Sequence, residues 1–288
     1  MDKYLIPEDD GLSAREFGIW TTEKLDYLER YINMFEVSMH QRPWCARCYI
    51  DLFAGTGKYR PEGQKDIRLG SALIALTTKY PFTHYFFVDK YQENIDILKK
   101  RSNNTGLSSK FLVGDANTKV GEVVNEIKSI ENNRPKNSWS SLNLAFLDPD
   151  GLELEWKTVA ELASIKKMDL IIYYSQSGLT RNLDKFSNTH EENIIDRFFG
   201  DREWRRIFND FKNSTGLHRH LIDYYKKKLG NLGYVDVKDI EDGGSEPLMR
   251  NTKQAPLYRL LFASKHKRGH DFWKQVIKRN VYGRTRLF

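Results

Sequence analysis

An aspartate that closes an apolar run and is followed by glycines, Asp51-Leu-Phe-Ala-Gly55-Thr-Gly57, carries the strongest chemical signal in the chain. Glycines let the backbone bend sharply after a strand and let a ligand lie close against it. In an open parallel sheet, ligands collect outside the carboxyl ends of the strands, at such a turn. Three more carboxylates follow the same plan: Asp89 closes YFFVD, Asp115 follows a third apolar run in GDAN, and Asp148 closes LAFLD. A carboxylate placed like Asp89 can accept both hydroxyls of a ribose, unless it is only a solvated strand end. Asp115, with Ala116 behind it, can meet the amino edge of an adenine or simply cap the next helix. Phe53 in the glycine loop and Lys90 after Asp89 belong to the same neighbourhood. Together these residues read as a nucleoside-binding site.

Two familiar phosphate-binding loops do not fit. A dinucleotide fingerprint needs a third glycine where Arg60 stands. A P-loop would put its leading glycine at Leu52 and its magnesium-binding hydroxyl at Tyr59. Ser71 after Gly70 reads as a helix cap, and no histidine stands in a catalytic spacing with it, so a hydrolase triad is excluded. Lys58 and Arg60 can neutralise phosphates near the loop. Arg181, just beyond the fifth apolar run, stands where a substrate would approach, or else makes a surface ion pair. Asp148 and Asp150 form a D-x-D pair, which alone does not make a metal site. Trp44-Cys45-Ala-Arg-Cys48 has the spacing of a redox pair, but that chemistry needs a helix after the first thiol, and here a strand follows. The reading is two buried thiols, with redox or metal use as the alternative, and no metal is expected.

The elements that must hold these groups come from periodicity. Residues 20–37 recur in apolar character at three- and four-residue steps through Leu25, Leu28, Ile32 and Phe35, with Glu23, Lys24, Asp26 and Glu29 between them, which predicts an amphipathic helix. Short apolar runs follow at 49–53, 85–89, 111–115, 144–148 and 169–174, separated by helix-length segments at 70–80, 91–101, 118–130 and 155–166. Strands alternating with helices predict βαβ crossovers and five parallel strands covered on both faces. The fold class is α/β, a doubly wound, mostly parallel Rossmann-like sheet of seven strands.

The expected organisation has three parts: a core with its N-terminal helix over 1–180, a basic helical insertion over 181–231, and a C-terminal hairpin and helix over 232–288. Helices are predicted over 190–212 and 216–230, strands over 233–240 and 257–264, and a last helix from about residue 269. The two strands either join the main sheet, with the last antiparallel beside the fifth, or form a winged-helix-like module. LYRLLFAS is as apolar as the central strands, which favours the sheet.

Composition bounds the rest. The chain has 288 residues, 40% hydrophobic and 30% charged, with a net charge of +7. No run approaches the roughly eighteen apolar residues of a membrane helix. The start, MDKYLIPEDDG, shows no apolar stretch behind a basic end, so no secretory signal is expected and the chain reads as cytoplasmic. Two cysteines cannot build a disulfide framework. Residues 191–288 carry 21 Lys and Arg against 13 Asp and Glu, so all of the excess charge is C-terminal. Basic clusters at Arg202, Arg205 and Arg206, at Lys226 to Lys228, and at Lys265, Lys267 and Arg268 alternate with Trp204, Tyr224, Tyr225 and Trp273. Cations with aromatics suit a nucleic-acid surface. The alternatives are a solvated basic face and tyrosines that belong to the core.

DLFAGTG, the strand-terminal Asp89, GDAN and the Asp-Pro turn at Asp148 resemble the S-adenosylmethionine-dependent methyltransferase fold. The order WTTEKLDYLERYI, YIDLFAGTGKYR, LGSALIAL, FVDK, LAFLDPDG, YYSQSGLTRNL and PLYRLLFASKHKRGHDFW resembles the three-Cys-motif partner family over about residues 16–275. The resemblance implies a methyltransferase-like domain and a functional partner, a radical-SAM-like protein with three cysteines. It also implies S-adenosylmethionine as cofactor, with Asp51, Gly55 and Gly57 beside its methionine part, Asp89 at the ribose, and Asp115 with Ala116 at the adenine. Amino-methylating enzymes of this fold carry [DNS]PP[YFW] where this chain has Asp148-Pro149-Asp150-Gly151. The acidic head and the first prolyl carbonyl, here Asp148 and Pro149, would contact the target amine. The stacking aromatic is missing, and Trp156, Tyr173 or Tyr174 would have to supply it. The function implied is methyl transfer, to nucleic acid by the basic C-terminal third. The alternative is a cofactor- or nucleic-acid-binding partner subunit without transfer activity.

Overall fold

The computed structural model describes residues 2–235 and 246–278. From the N-terminus run β1 (Arg15–Phe17), α1 (Trp20–Met39), β2 (Arg47–Asp51), β3 (Lys58–Pro61), β4 (Arg68–Leu69), α2 (Ser71–Leu76), β5 (His84–Asp89), α3 (Gln92–Ser102), β6 (Ser109–Val113) and α4 (Ala116–Asn132). The second half continues with β7 (Leu142–Leu147), α5 (Trp156–Ala163), β8 (Met168–Tyr174), α6 (Gln176–Ser187), α7 (Ile194–Phe199), α8 (Glu203–Phe211) and α9 (Leu217–Asn231). After residues that lie outside the described set come β9 (Leu248–Arg250), β10 (Pro256–Ala263) and α10 (Lys267–Ile277).

Seven strands form one sheet in the order β6-β5-β2-β7-β8-β10-β9. The first five neighbours are parallel, and β10 runs antiparallel to β8, with Leu260 opposite Tyr173 and Ala263 opposite Leu170. This is the doubly wound, mostly parallel α/β sheet that the alternation of elements predicts. Period-two alternation sends successive side chains of one strand to opposite layers. In β2, Cys48 and Ile50 pack with α4, α5 and the helices of the insertion, while Tyr49 packs with α1, α2 and α10. Phe86 and Val88 divide from Tyr85 and Phe87 in the same way. With both faces covered, only the two ends of the sheet are free to carry a site.

The chain steps from β2 outward to β5 and β6, then returns to the other side of β2 for β7 and β8. The switch point therefore lies between β2 and β7, where the crossovers leave to opposite sides and a crevice opens at the carboxyl ends.

Four elements differ from expectation. The helix expected over 190–212 is two, α7 and α8, because Gly200 takes a left-handed φ of 75° and ends the first. Asn193 starts α7 with a capping box. Of the strand expected over 233–240, residues 236–240 lie outside the described residues, and the edge strand beside β10 is Leu248–Arg250. A small second sheet, β1-β3-β4, was not anticipated. Finally, Lys24, grouped by sequence with the polar residues of α1, is buried. It stands four and seven residues before Leu28 and Tyr31, which puts it on the buried stripe.

Candidate functional site

At the carboxyl ends of β2, β5 and β7 lies a cleft of about 550 Å³, within the roughly 300–1,000 Å³ of small-molecule sites. The loop after β2 forms one wall, with Phe53, Ala54, Gly55, Thr56 and Gly57. Gly55 and Gly57 have φ of 57° and 86°, a region that favours glycine. A Cβ on Gly55 would meet nothing within 4 Å, so the loop leaves open space there. On Gly57 a Cβ would lie 2.8 Å from Leu98 Cδ1 and 2.9 Å from Leu73 Cγ, so this glycine is demanded by packing as well as by conformation.

Asp89 ties the loop to the neighbouring strand. Its Oδ2 accepts the Gly55 N–H at 2.9 Å, while Oδ1 accepts the Tyr91 N–H at 2.9 Å and the Asn94 side-chain amide at 2.8 Å. Lys90, Tyr91 and Asn94 line the cleft beside it. Asp115 lines it too while capping α4, its Oδ1 accepting the Asn117 N–H at 2.8 Å, and Ala116 follows in the wall. Asp115 thus caps α4 and faces the cleft with the same side chain.

Asp148 and Pro149 stand at the far end. Asp148 Oδ2 meets Lys24 Nζ at 2.5 Å, and Asp148 Oδ1 is buried without a hydrogen-bond partner. Burial is the largest influence on this carboxyl and raises its pKa, and the Lys24 ammonium opposes that. The Lys24 ammonium also lies 5.6 Å from the ring centre of Tyr173 and 5.3 Å from that of Tyr258. The two rings are 4.5 Å apart. Arg15 reaches across the mouth to Asp150 at 2.7 Å, an exposed pair.

Several expected site residues stand elsewhere. Asp51 does not line the cleft: it is wholly buried beneath the loop, where its Oδ1 accepts the Phe53 N–H at 3.1 Å. Burial pushes it up to about 7, and the nearby carboxylates of Asp148 and Asp89 add to this. Lys58 lines the cleft, but its amine is taken: it pairs with Asp10 at 2.9 Å and donates to the carbonyls of Lys3 and Glu8. Arg101 clasps the same Asp10 with two bonds of 2.8 and 2.9 Å, so this network fastens the N-terminal segment and is not free to neutralise a phosphate. Arg60, Arg181 and Trp156 are not part of the lining. Arg60 faces Asp9 at 3.9 Å, Arg181 is exposed on α6, and Trp156 packs edge-on against Tyr225 beneath the Lys228 ammonium. Of the three aromatic residues weighed for stacking, Tyr173 alone lines the cleft; Tyr174 is buried against Phe198.

The aromatic residues set among the C-terminal cations are mostly core. Trp204, Tyr225 and Trp273 are buried, and the Tyr224 hydroxyl donates to Asp201. Many of the cations are engaged within the chain: Arg205 with Asp196, Arg206 with Glu203 and Asp210, Lys226 with Glu246, Lys228 with Asp201, and Lys265 with the Ala163 and Ile165 carbonyls. Cys48 is buried in β2 and Cys45 is half-buried, both thiols raised above the usual range by burial. Among the described residues no cluster of metal-binding side chains occurs, and no helix is long and apolar enough to cross a membrane.

Lys24, Tyr91, Asn94 and Tyr258 are among the lining residues that sequence reasoning missed. The signal for Lys24 was its helical spacing to Leu28 and Tyr31; for Tyr258 it was the alternation Tyr258, Leu260, Phe262 along one face of β10.

The chain matches no family model and no curated protein. Among solved structures it is similar to magnesium protoporphyrin IX methyltransferase from Synechocystis PCC 6803, at 12% identity and a TM-score of 0.36 over 85% of each chain. It is also similar to a SAM-dependent methyltransferase from Anabaena variabilis, at 10% identity and a TM-score of 0.32, over 89% of this chain and 98% of the other. The fold itself is given by the strand order β6-β5-β2-β7-β8-β10-β9.

Proposed function

We propose that the cleft holds S-adenosylmethionine and that the chain is a methyltransferase. The observation that carries this reading is the bond from Gly55 N–H to Asp89 Oδ2, which sets a glycine loop and a strand-end carboxylate side by side at the switch point. The charge of the lining supports the same ligand. Glu16, Asp89, Asp115, Asp148, Asp150 and Glu153 outnumber Arg15, Lys24, Lys58 and Lys90. S-adenosylmethionine is a net cation and suits such a lining, whereas a phosphate-rich nucleotide would be repelled. Its nucleoside would lie between Asp89, Tyr91 and Asp115, and its methionine part along the Gly55–Gly57 loop, over the buried Asp51. When bound, the sulfonium supplies a reactive methyl group. The protein would hold the acceptor at the Asp148 end, where the buried rings of Tyr173 and Tyr258 line the wall and would limit the access of water.

For the acceptor, the C-terminal charge supports nucleic acid, although the buried Trp204, Tyr225 and Trp273 cannot stack on bases. A second reading draws on the Lys24–Asp148 pair, which fills the acceptor end. It is a cofactor-binding partner subunit without transfer activity of its own, working beside a three-Cys-motif, radical-SAM-like protein as the sequence resemblance implies. Calorimetric titration of S-adenosylmethionine, S-adenosylhomocysteine and NAD into the purified protein tests the common basis of both. Micromolar binding of the first two and none of NAD is expected. A folded protein that binds neither sulfur compound would remove the proposal.

A further inference from the structure

We propose that Lys24 is itself a methyl acceptor, a self-modification site at the acceptor end of the cleft. This rests on the cleft's being an S-adenosylmethionine site.

Lys24 is a helix residue with 7% of its surface exposed, and it lines the same cleft as the glycine loop and Asp89. Its Nζ meets Asp148 Oδ2 at 2.5 Å and lies over the faces of Tyr173 and Tyr258. A carboxylate with two aromatic faces is the chemistry that recognises an alkylammonium, methylated or not. The position that an incoming amine would take against the Asp-Pro turn is thus already filled by an amine of this chain.

The other lysines of the cleft are placed differently. Lys58 is held by Asp10 and two carbonyls, and Lys90 is exposed at the rim. Asp148 Oδ2, which already faces the ammonium, is the acceptor for the proton that Lys24 must lose, and the buried Oδ1 of the same carboxylate is bound by no other donor.

The transfer balances without any further reagent. Lys24 gives a proton to Asp148 and becomes a neutral amine. Its lone pair forms the N–CH₃ bond as the S–CH₃ bond breaks, and that bonding pair stays on sulfur as S-adenosylhomocysteine. Asp148 releases its proton to solvent, leaving a methylammonium that keeps its charge and its pairing with Asp148. Methylation keeps the lysine charge, so the ion pair survives the reaction.

The test has two arms. In the first, the protein is incubated with S-adenosylmethionine carrying a deuterated methyl group and digested, and every lysine peptide is weighed. The label is expected on Lys24 and to be lost in Lys24→Arg. In the second, S-adenosylmethionine and S-adenosylhomocysteine are titrated calorimetrically into wild type and Lys24→Met. Removing a cation beside the sulfonium and leaving Asp148 unpaired should raise the preference for the methylated compound about fivefold or more. Binding of both compounds with Lys24 unlabelled, a label on another lysine, or an unchanged preference in Lys24→Met overturns the proposal. If wild type binds neither compound, the underlying reading of the cleft falls first and takes this one with it.

Discussion

The carboxylate of Asp89 and the backbone amide of Gly55 are joined at 2.9 Å, so the end of β5 holds the loop that follows β2. The same carboxylate takes two more donors, from Tyr91 and Asn94. Asp89→Ala leaves three donors without their acceptor and should cost about 4 kcal/mol or more of stability, given about 1.5 kcal/mol or more per bond to a charged group. Binding of S-adenosylmethionine should fall at least tenfold. Urea unfolding and calorimetry on the same preparation check both. A variant that binds as wild type does would detach Asp89 from the site.

The two glycines of the loop should respond in opposite ways to the same change. Gly57→Ala places a methyl group against Leu98 and Leu73 in a left-handed conformation, and should cost about 2–4 kcal/mol through strain and overpacking. Gly55→Ala meets no atom and should cost only about 1 kcal/mol, from its φ alone. It should nevertheless weaken cofactor binding more than tenfold, because the methyl group enters the space the ligand needs. Equal losses of stability in the two variants would contradict the geometry.

Asp51 ties stability to pH. Burial pushes its carboxyl up to about 7 in the folded protein, while an unfolded aspartate titrates at about 3.9. The native state keeps this proton longer, so the stability it lends is complete below about pH 4 and is lost as pH rises toward 7. Asp51→Asn, neutral throughout, should exceed wild type in stability at about pH 8 by about 1–2 kcal/mol and lose that advantage by about pH 5. Urea midpoints at the two pH values decide it; a constant difference would mean that Asp51 does not titrate in this range.

The N-terminal segment is fastened by a buried charge cluster. Asp10, Lys58 and Arg101 have side-chain exposures of 1%, 0% and 0%. Asp10→Asn removes an anion that faces two buried cations and should cost about 3 kcal/mol. Limited proteolysis should then cut within the first fifteen or so residues, where Lys3 and Glu8 also hold Lys58. Resistance equal to wild type would show that the segment is anchored elsewhere.

Trp156 should behave as a structural residue. It packs on Tyr225 under Lys228 and outside the cleft. Trp156→Ala should lower stability by about 1–2 kcal/mol, as for a half-buried aromatic truncation, with cofactor affinity changed less than about twofold. A large loss of affinity without loss of stability would return it to the site.

The carboxylate ends of β2, β5 and β7 and the glycine loop were legible in the sequence, because each is a local pattern: an apolar run, an acid, a turn. The antiparallel last strand was legible for the same reason, since LYRLLFAS can be buried on both faces only inside a sheet. Trp156, Arg60 and Arg181 stand outside the cleft, since nearness along the chain to a strand end does not say which way a side chain leaves it. The cations of the insertion misled similarly: Arg205 next to Trp204 resembles a binding surface until Asp196 is found holding both the guanidinium and the indole N–H.

The sequence by itself determined the five parallel strands, the last long strand and the line of acids at the strand ends, since periods of two and about three and a half residues report which face of each element is apolar. Only the tertiary structure decided that Lys24 of α1 meets Asp148 after β7 and lies over Tyr258 of β10. Periodicity puts all three on inward-facing stripes but carries no information on which stripes converge. That convergence depends on the order of strands across the sheet and on how α1 packs over it, and both are set by long-range burial.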